Sequence, residues 1–153
     1  MFKGNSTVME VARYFIAKGQ INNIKITHLK IQKLVYYAQG LVLACTGDKL
    51  FNEEIQAWVY GPVCPALYQK LKQFASCSIH VANPEKVMLN NISDEKKNII
   101  DEVWRIFGEY DEWKLVEFTH QEDPWLNAME IGKNTTISCE SLKKYFSQFV
   151  RSR

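Results

Sequence analysis

Between Thr27 and Gly47 the chain carries a helical pattern with too little polar surface for an ordinary outside helix. Thr27 reads as a cap and Gly47 as a stop for a helix running to about Thr46. Ile31, Leu34, Val35, Ala38, Leu41, Val42 and Cys45 recur at helical spacing and form its main apolar stripe. The opposite face holds Leu29, Gln32, Lys33, Tyr36 and Gly40. Leu29 and Tyr36 are large, and Gly40 costs about 1 kcal/mol inside a helix relative to Ala. Tertiary structure has to offset that cost, most simply by packing something close to the backbone. The helix is therefore central, with both faces covered, or it presents its second face to a partner.

The remaining elements read as further helices. Thr7 with Glu10 makes a capping box for a first helix, with Val8, Val11, Ala12, Phe15 and Ile16 on one face and Gly19 as its stop. Residues 48–60 suggest a small hairpin, with Asp48 near the turn and Leu50, Phe51 and Ile55 to Val59 extended. A third helix is expected directly after Gly61-Pro62, with Leu67, Tyr68, Leu71 and Phe74 on one side. Residues 76–92 read as irregular, with a short strand near Ile79 to Val81. Ser93 caps a fourth helix whose stripe runs from Ile99 through Ile100, Val103, Trp104, Ile106 and Phe107 to Tyr110. Asp111 caps a fifth helix with Leu115, Val116 and Phe118, and Asp123-Pro124 reads as cap and first turn of a sixth. Ser138 caps the last, with Leu142, Tyr145, Phe146 and Phe149 inward and Arg151 and Arg153 at its dipole end. The expected fold is mainly α: one compact domain over residues 1–153, six to seven helices and a small β-hairpin.

The chain has 153 residues, 46% hydrophobic and 24% charged, which suits a folded globule and not disorder. No apolar run approaches the ~20 residues of a membrane span, and Met1 to Ser6 has neither the apolar core nor the cleavage site of a signal peptide. A cytoplasmic protein is expected. The four cysteines, Cys45, Cys64, Cys77 and Cys139, form no close pair, and His28, His80 and His120 are scattered, so no metal or cofactor is expected and the thiols read as reduced and mostly buried. The net charge of +2 is uneven: +5 over residues 1–80, −7 over 81–132 and +4 over 133–153. Such a bipolar chain docks a charged partner on one side, or its opposite regions attract each other within the fold.

No enzyme signature stands out. The seven glycines are isolated, and neither a nucleophile elbow nor a zinc-protease motif is present. A Cys64–His120 dyad and a Glu122–Asp123 acid/base pair are formally available, but His120 equally suits a helix end and Asp123 a cap. No catalytic residue is expected. Lys25, His28, Lys30 and Lys33 are too sparse for a DNA-reading surface. Tyr36, Tyr37, Trp58, Tyr60 and Trp125 are the residue types that dominate protein interfaces, although aromatics at such spacing also build cores.

Three blocks carry a family resemblance. Leu29-Lys30-Ile31-Gln32-Lys33-Leu34-Val35-Tyr36-Tyr37, then Ala57-Trp58-Val59-Tyr60-Gly61-Pro62-Val63, then Thr119-His120 with Asp123-Pro124-Trp125, occur in that order. Together they resemble the blocks of the SocA-like antitoxins, the Panacea domain family with its phage-associated GepA-like proteins, over roughly residues 7–150. The resemblance implies an antitoxin that neutralises a cognate protein toxin by direct contact, without catalysis. It implies, as an alternative, an adaptor that hands the toxin to a cytoplasmic protease, or a phage-associated binding module with no antitoxin role. Some members carry an added DNA-binding domain; none is expected in these 153 residues, and DNA is not an expected partner. Lys33, Tyr36, Trp58, Tyr60, His120 and Trp125 are the residues expected to meet the partner. The motif blocks also suit a core, in which case binding would fall on surface such as the acidic 81–132 region.

Overall fold

The computed structural model describes residues 6–150. Among them are seven α-helices: α1 (Val8–Ile21), α2 (His28–Thr46), α3 (Pro65–Leu71), α4 (Asp94–Phe107), α5 (Glu112–Thr119), α6 (Asp123–Ile131) and α7 (Cys139–Ser147). Three short strands, β1 (Ile55–Trp58), β2 (Gly61–Val63) and β3 (Thr136–Ile137), form an antiparallel sheet in the order β2-β1-β3. The architecture is mainly α, as the patterning implies.

The local start signals act as written. Thr7 and Glu10 close a capping box on α1, and the side chains of Thr27, Ser93, Asp111 and Ser138 each accept a backbone N–H in the first turn of their helix. Gly47 ends α2 in the left-handed conformation. Gly19 does not end α1, which runs on to Ile21. A Cβ there would meet Ile26 and the Ile24 carbonyl, so the glycine admits the returning chain. The roles expected for Arg151 and Arg153 lie outside the described residues.

The hairpin sits one step later than residues 48–60 suggest. Its strands are β1 and β2, its turn is Val59-Tyr60, and Gly61-Pro62 belongs to β2 rather than to a helix. Pro62 faces Ala57, whose N–H donates to Thr135 O and whose carbonyl accepts from Asn134 N on the far side of β1. The position opposite Ala57 therefore needs no donor, and an edge strand accommodates proline there. Helix α3 starts instead at Pro65. Ile79 to Val81 forms no strand; Ile79 N donates to Ile26 O within an irregular stretch. At α6 the cap position is Glu122, not Asp123, and its carboxylate does no capping. Phe149 is 62% exposed instead of inward, because α7 ends at Ser147.

Helix α2 is the axis of the fold. It packs against α1, α3, α4, α5, α7 and β2, and every residue from Lys30 to Gly40 is buried. Both faces are thus covered by the chain itself. The close approach that Gly40 required is made by α7: a Cβ at Gly40 would run into the ring of Phe146. No described helix is long and apolar enough to cross a membrane.

Candidate functional site

The buried polar side chains of α2 each fasten a segment distant in sequence. Lys30 Nζ donates to Gly108 O at 2.6 Å, just beyond α4. Gln32 Oε1 accepts Cys64 N at 2.8 Å at the start of α3, and its Nε2 donates to His28 Nε2 at 2.9 Å. Burial holds the His28 imidazole down to about 4, with the charge of Lys33 adding to the effect, so the ring is a neutral acceptor. Gln39 accepts Leu50 N and donates to Phe51 O, both at 2.8 Å, pinning the segment before β1. Each bond replaces the water a buried polar group would otherwise lose.

Lys33 is the extreme case. Its side chain has no exposure, and Nζ donates to Pro62 O at 3.2 Å. A Cβ on Gly61, at φ +104°, would come within 2.7 Å of both Lys33 Cε and Thr119 Oγ1. The glycine therefore does two things: it takes the left-handed step after the turn and lets the hairpin lie on the lysine. Burial alone lowers the Lys33 ammonium to about 7.

The third block closes on the hairpin from the other side. Trp125 Nε1 donates to Trp58 O at 2.7 Å, and His120 Nε2 lies 3.0 Å from Val59 O. A carbonyl only accepts, so His120 carries its proton on Nε2. The His120 and Trp125 rings stack with centroids 4.2 Å apart. The carbonyls of Trp58, Val59 and Pro62, around one tight turn, are thus each taken by a side chain from α2 or from the α5–α6 region.

What this clamp presents is apolar. Val59 is 53% exposed, Tyr60 56% and Trp113 57%, and the Tyr60 and Trp113 rings meet edge to face at 5.5 Å. A rigid pair of solvated aromatics has the chemistry of an interface anchor, since little torsional freedom remains to be lost on binding.

Of the six residues expected to meet a partner, Tyr60 offers a largely open side chain. Trp58, His120 and Trp125 are half-buried, Trp58 donating from Nε1 to Gln56 Oε1 at 2.9 Å and packing edge-on to Tyr68. Lys33 and Tyr36 have no exposed surface, because α2 is covered on both faces. Tyr36 and Tyr37 donate to the two oxygens of Glu122, at 2.8 and 2.7 Å. Burial pushes the Glu122 carboxyl up to about 7 against the pull of those two phenols. Trp113 and Glu122 are absent from the expected contact set. The signal for Trp113 is a tryptophan unused by the Leu115, Val116 and Phe118 stripe; nothing local ties Glu122 to two tyrosines so far upstream.

The remaining chemical groups are held structurally. Cys64 is buried at the cap of α3 with its thiol pushed up by burial, whereas Cys45 and Cys77 are exposed, contrary to a mostly buried set. No cluster of ligands suited to a metal occurs among the described residues. The buried cations Lys30 and Lys33 pair with backbone carbonyls, while Lys18 and Asp101, 3.5 Å apart, link the basic and acidic parts of the chain at the surface.

The Antitoxin SocA-like, Panacea domain family matches residues 31–126, the span that contains the clamp and its hairpin. Antitoxin SocA of Caulobacter vibrioides (strain NA1000 / CB15N) is 39% identical over 59 residues, which are 39% of this chain and 31% of that protein. The similarity therefore spans about a third of that relative. No solved structure matches the chain. Family match, block order and their convergence on one hairpin agree, and the chain belongs to the SocA-like antitoxin family through its Panacea domain.

Proposed function

We propose that this protein is an antitoxin that masks a cognate protein toxin through the hairpin tip, with Val59, Tyr60 and Trp113 as the contact and the motif residues as its mount. The observation that carries this reading is the juxtaposition of a turn held at three carbonyls with an exposed, mutually packed Tyr–Trp pair. Interface energy concentrates in such preorganised aromatics. Trp58, His120 and Trp125 contribute by fixing the turn and by offering their half-buried edges. Lys33 and Tyr36 act from below, by keeping the hairpin seated.

Neutralisation in this account is stoichiometric and needs no catalysis. The raised thiol of Cys64 makes a poor nucleophile, and the ring of His120 is already engaged with Val59 O. The test is co-expression with the product of the adjacent open reading frame. Restored growth and a co-purifying complex are expected, with Tyr60→Ala/Trp113→Ala losing both. A Cys64→Ala variant is expected to keep neutralising. Growth restored with no complex and a shortened partner lifetime contradicts masking and assigns delivery to a protease.

A further inference from the structure

Helices α4 and α7 both pack on α2 but meet each other little. Between them lies an open slot of about 1200 Å³. Its floor is Tyr37 and Leu41 of α2, Glu122 also lines it, and Phe146 of α7 with Phe149 just beyond that helix forms a wall. Along α4 the lining positions are Glu95, Asn98, Ile99, Glu102 and Ile106. These recur every three or four residues over three turns, a length of about 16 Å. Tyr37 stacks on Phe107 at 3.9 Å and meets Phe146 edge to face, so the floor is preformed. Ile106 and Phe149, on opposite walls, are 42% and 62% exposed.

Its length along α4 is that of about three helical turns, and helices packed side by side lie ~8–10 Å apart. Among the described residues its charge has one sign: three carboxyl groups line it and no lysine or arginine does. Glu102 pairs with Arg105 on the outer surface of α4, leaving Glu95 and the buried Glu122 without a cation. We propose that this slot binds an amphipathic, cationic helix of a partner protein, its apolar face on Tyr37, Ile106 and Phe149 and its lysines or arginines against Glu95, the exposed carboxylate with no cation of its own. Helix-in-groove recognition reads anchors at the spacing that α4 displays. The slot shares no residue with the hairpin tip, so it stands or falls separately from the antitoxin reading.

The probe is a fluorescein-labelled 14-residue helix of leucine and lysine, with leucines at helical spacing, titrated with the full chain. Its counterpart has every lysine replaced by glutamate. The cationic peptide is expected to bind and the anionic one to bind at least tenfold more weakly. Phe149→Asp is expected to weaken the cationic peptide at least tenfold. That variant adds negative charge, so attraction through charge alone would strengthen binding and overturn the proposal. Ile106→Asp gives a second reading from the opposite wall, and Glu95→Lys is expected to erase the preference for the cationic peptide. Equal binding of both peptides, no binding, or unchanged affinity in Phe149→Asp overturns the proposal. So does a dimer in sedimentation that Phe149→Asp disperses, which would make a second copy the occupant.

Discussion

The underside of the hairpin and its tip treat side chains in opposite ways. Beneath it, Lys33, Gln32, Trp125 and His120 spend their donors or acceptors on backbone groups, the first two buried and the other two half-buried. At the tip, a few ångströms away in the same turn, Val59 and Tyr60 leave more than half their surface open, and Trp113 joins them. The family resemblance rests mostly on the first set. The surface able to meet a partner comes mostly from the second. Residues that make a motif legible can thus act one layer removed, by fixing the geometry of neighbours that do the touching.

The strongest way to break this contrast is to unseat the hairpin from below. Gly61→Val is expected to destabilise the fold by roughly 3–5 kcal/mol, measured by urea unfolding, since it adds a clash with Lys33 and Thr119 to an unfavourable φ. Lys33→Met probes the same contact through pH. The unfolded chain holds the Lys33 proton up to the usual 10.5, while burial makes the folded chain release it near 7. Stability of the parent relative to Lys33→Met should therefore rise by about 3 kcal/mol between pH 7 and 10. A pH-independent difference would place the lysine in water.

Glu122 tests the far end of the constellation. Its folded-state carboxyl ionises near 7, well above the unfolded 4.5, so the parent loses stability as pH rises through that window and stays lower above it. Glu122→Gln, which keeps an acceptor for the tyrosines, should be more stable than the parent by about 2 kcal/mol at pH 8, with the gain gone by pH 4. Thermal melts at the two pH values decide this. Trp125→Phe, which leaves Trp58 O without its donor, should cost about 1–2 kcal/mol and loosen exchange protection around the hairpin.

What could be read from sequence divides along the same line. The caps at Thr7, Thr27, Ser93, Asp111 and Ser138 each depend on residues within one turn, and each is where the pattern puts it. That the second face of α2 is covered, by the chain or by a partner, was legible because Gly40 and Tyr36 make no sense in water; that the chain itself covers it was not. The strand at Gly61-Pro62 was not legible, because it depends on Ala57 turning its N–H toward Thr135, a contact made across about half of the chain. For the same reason the bonds from Tyr36 and Tyr37 to Glu122 and from Lys33 to Pro62 O left no local trace, and a lysine bound to a carbonyl looks in sequence like a surface cation.

The smallest expected change in stability belongs to the residues expected to matter most for binding. Tyr60→Ala/Trp113→Ala, with the parent, should be assayed on one preparation for urea unfolding and for affinity toward the co-expressed toxin. The account predicts unfolding within about 0.5 kcal/mol of the parent and affinity lower by about 30-fold or more, the ~2 kcal/mol of an interface hot spot. Unchanged affinity in the folded variant would contradict it.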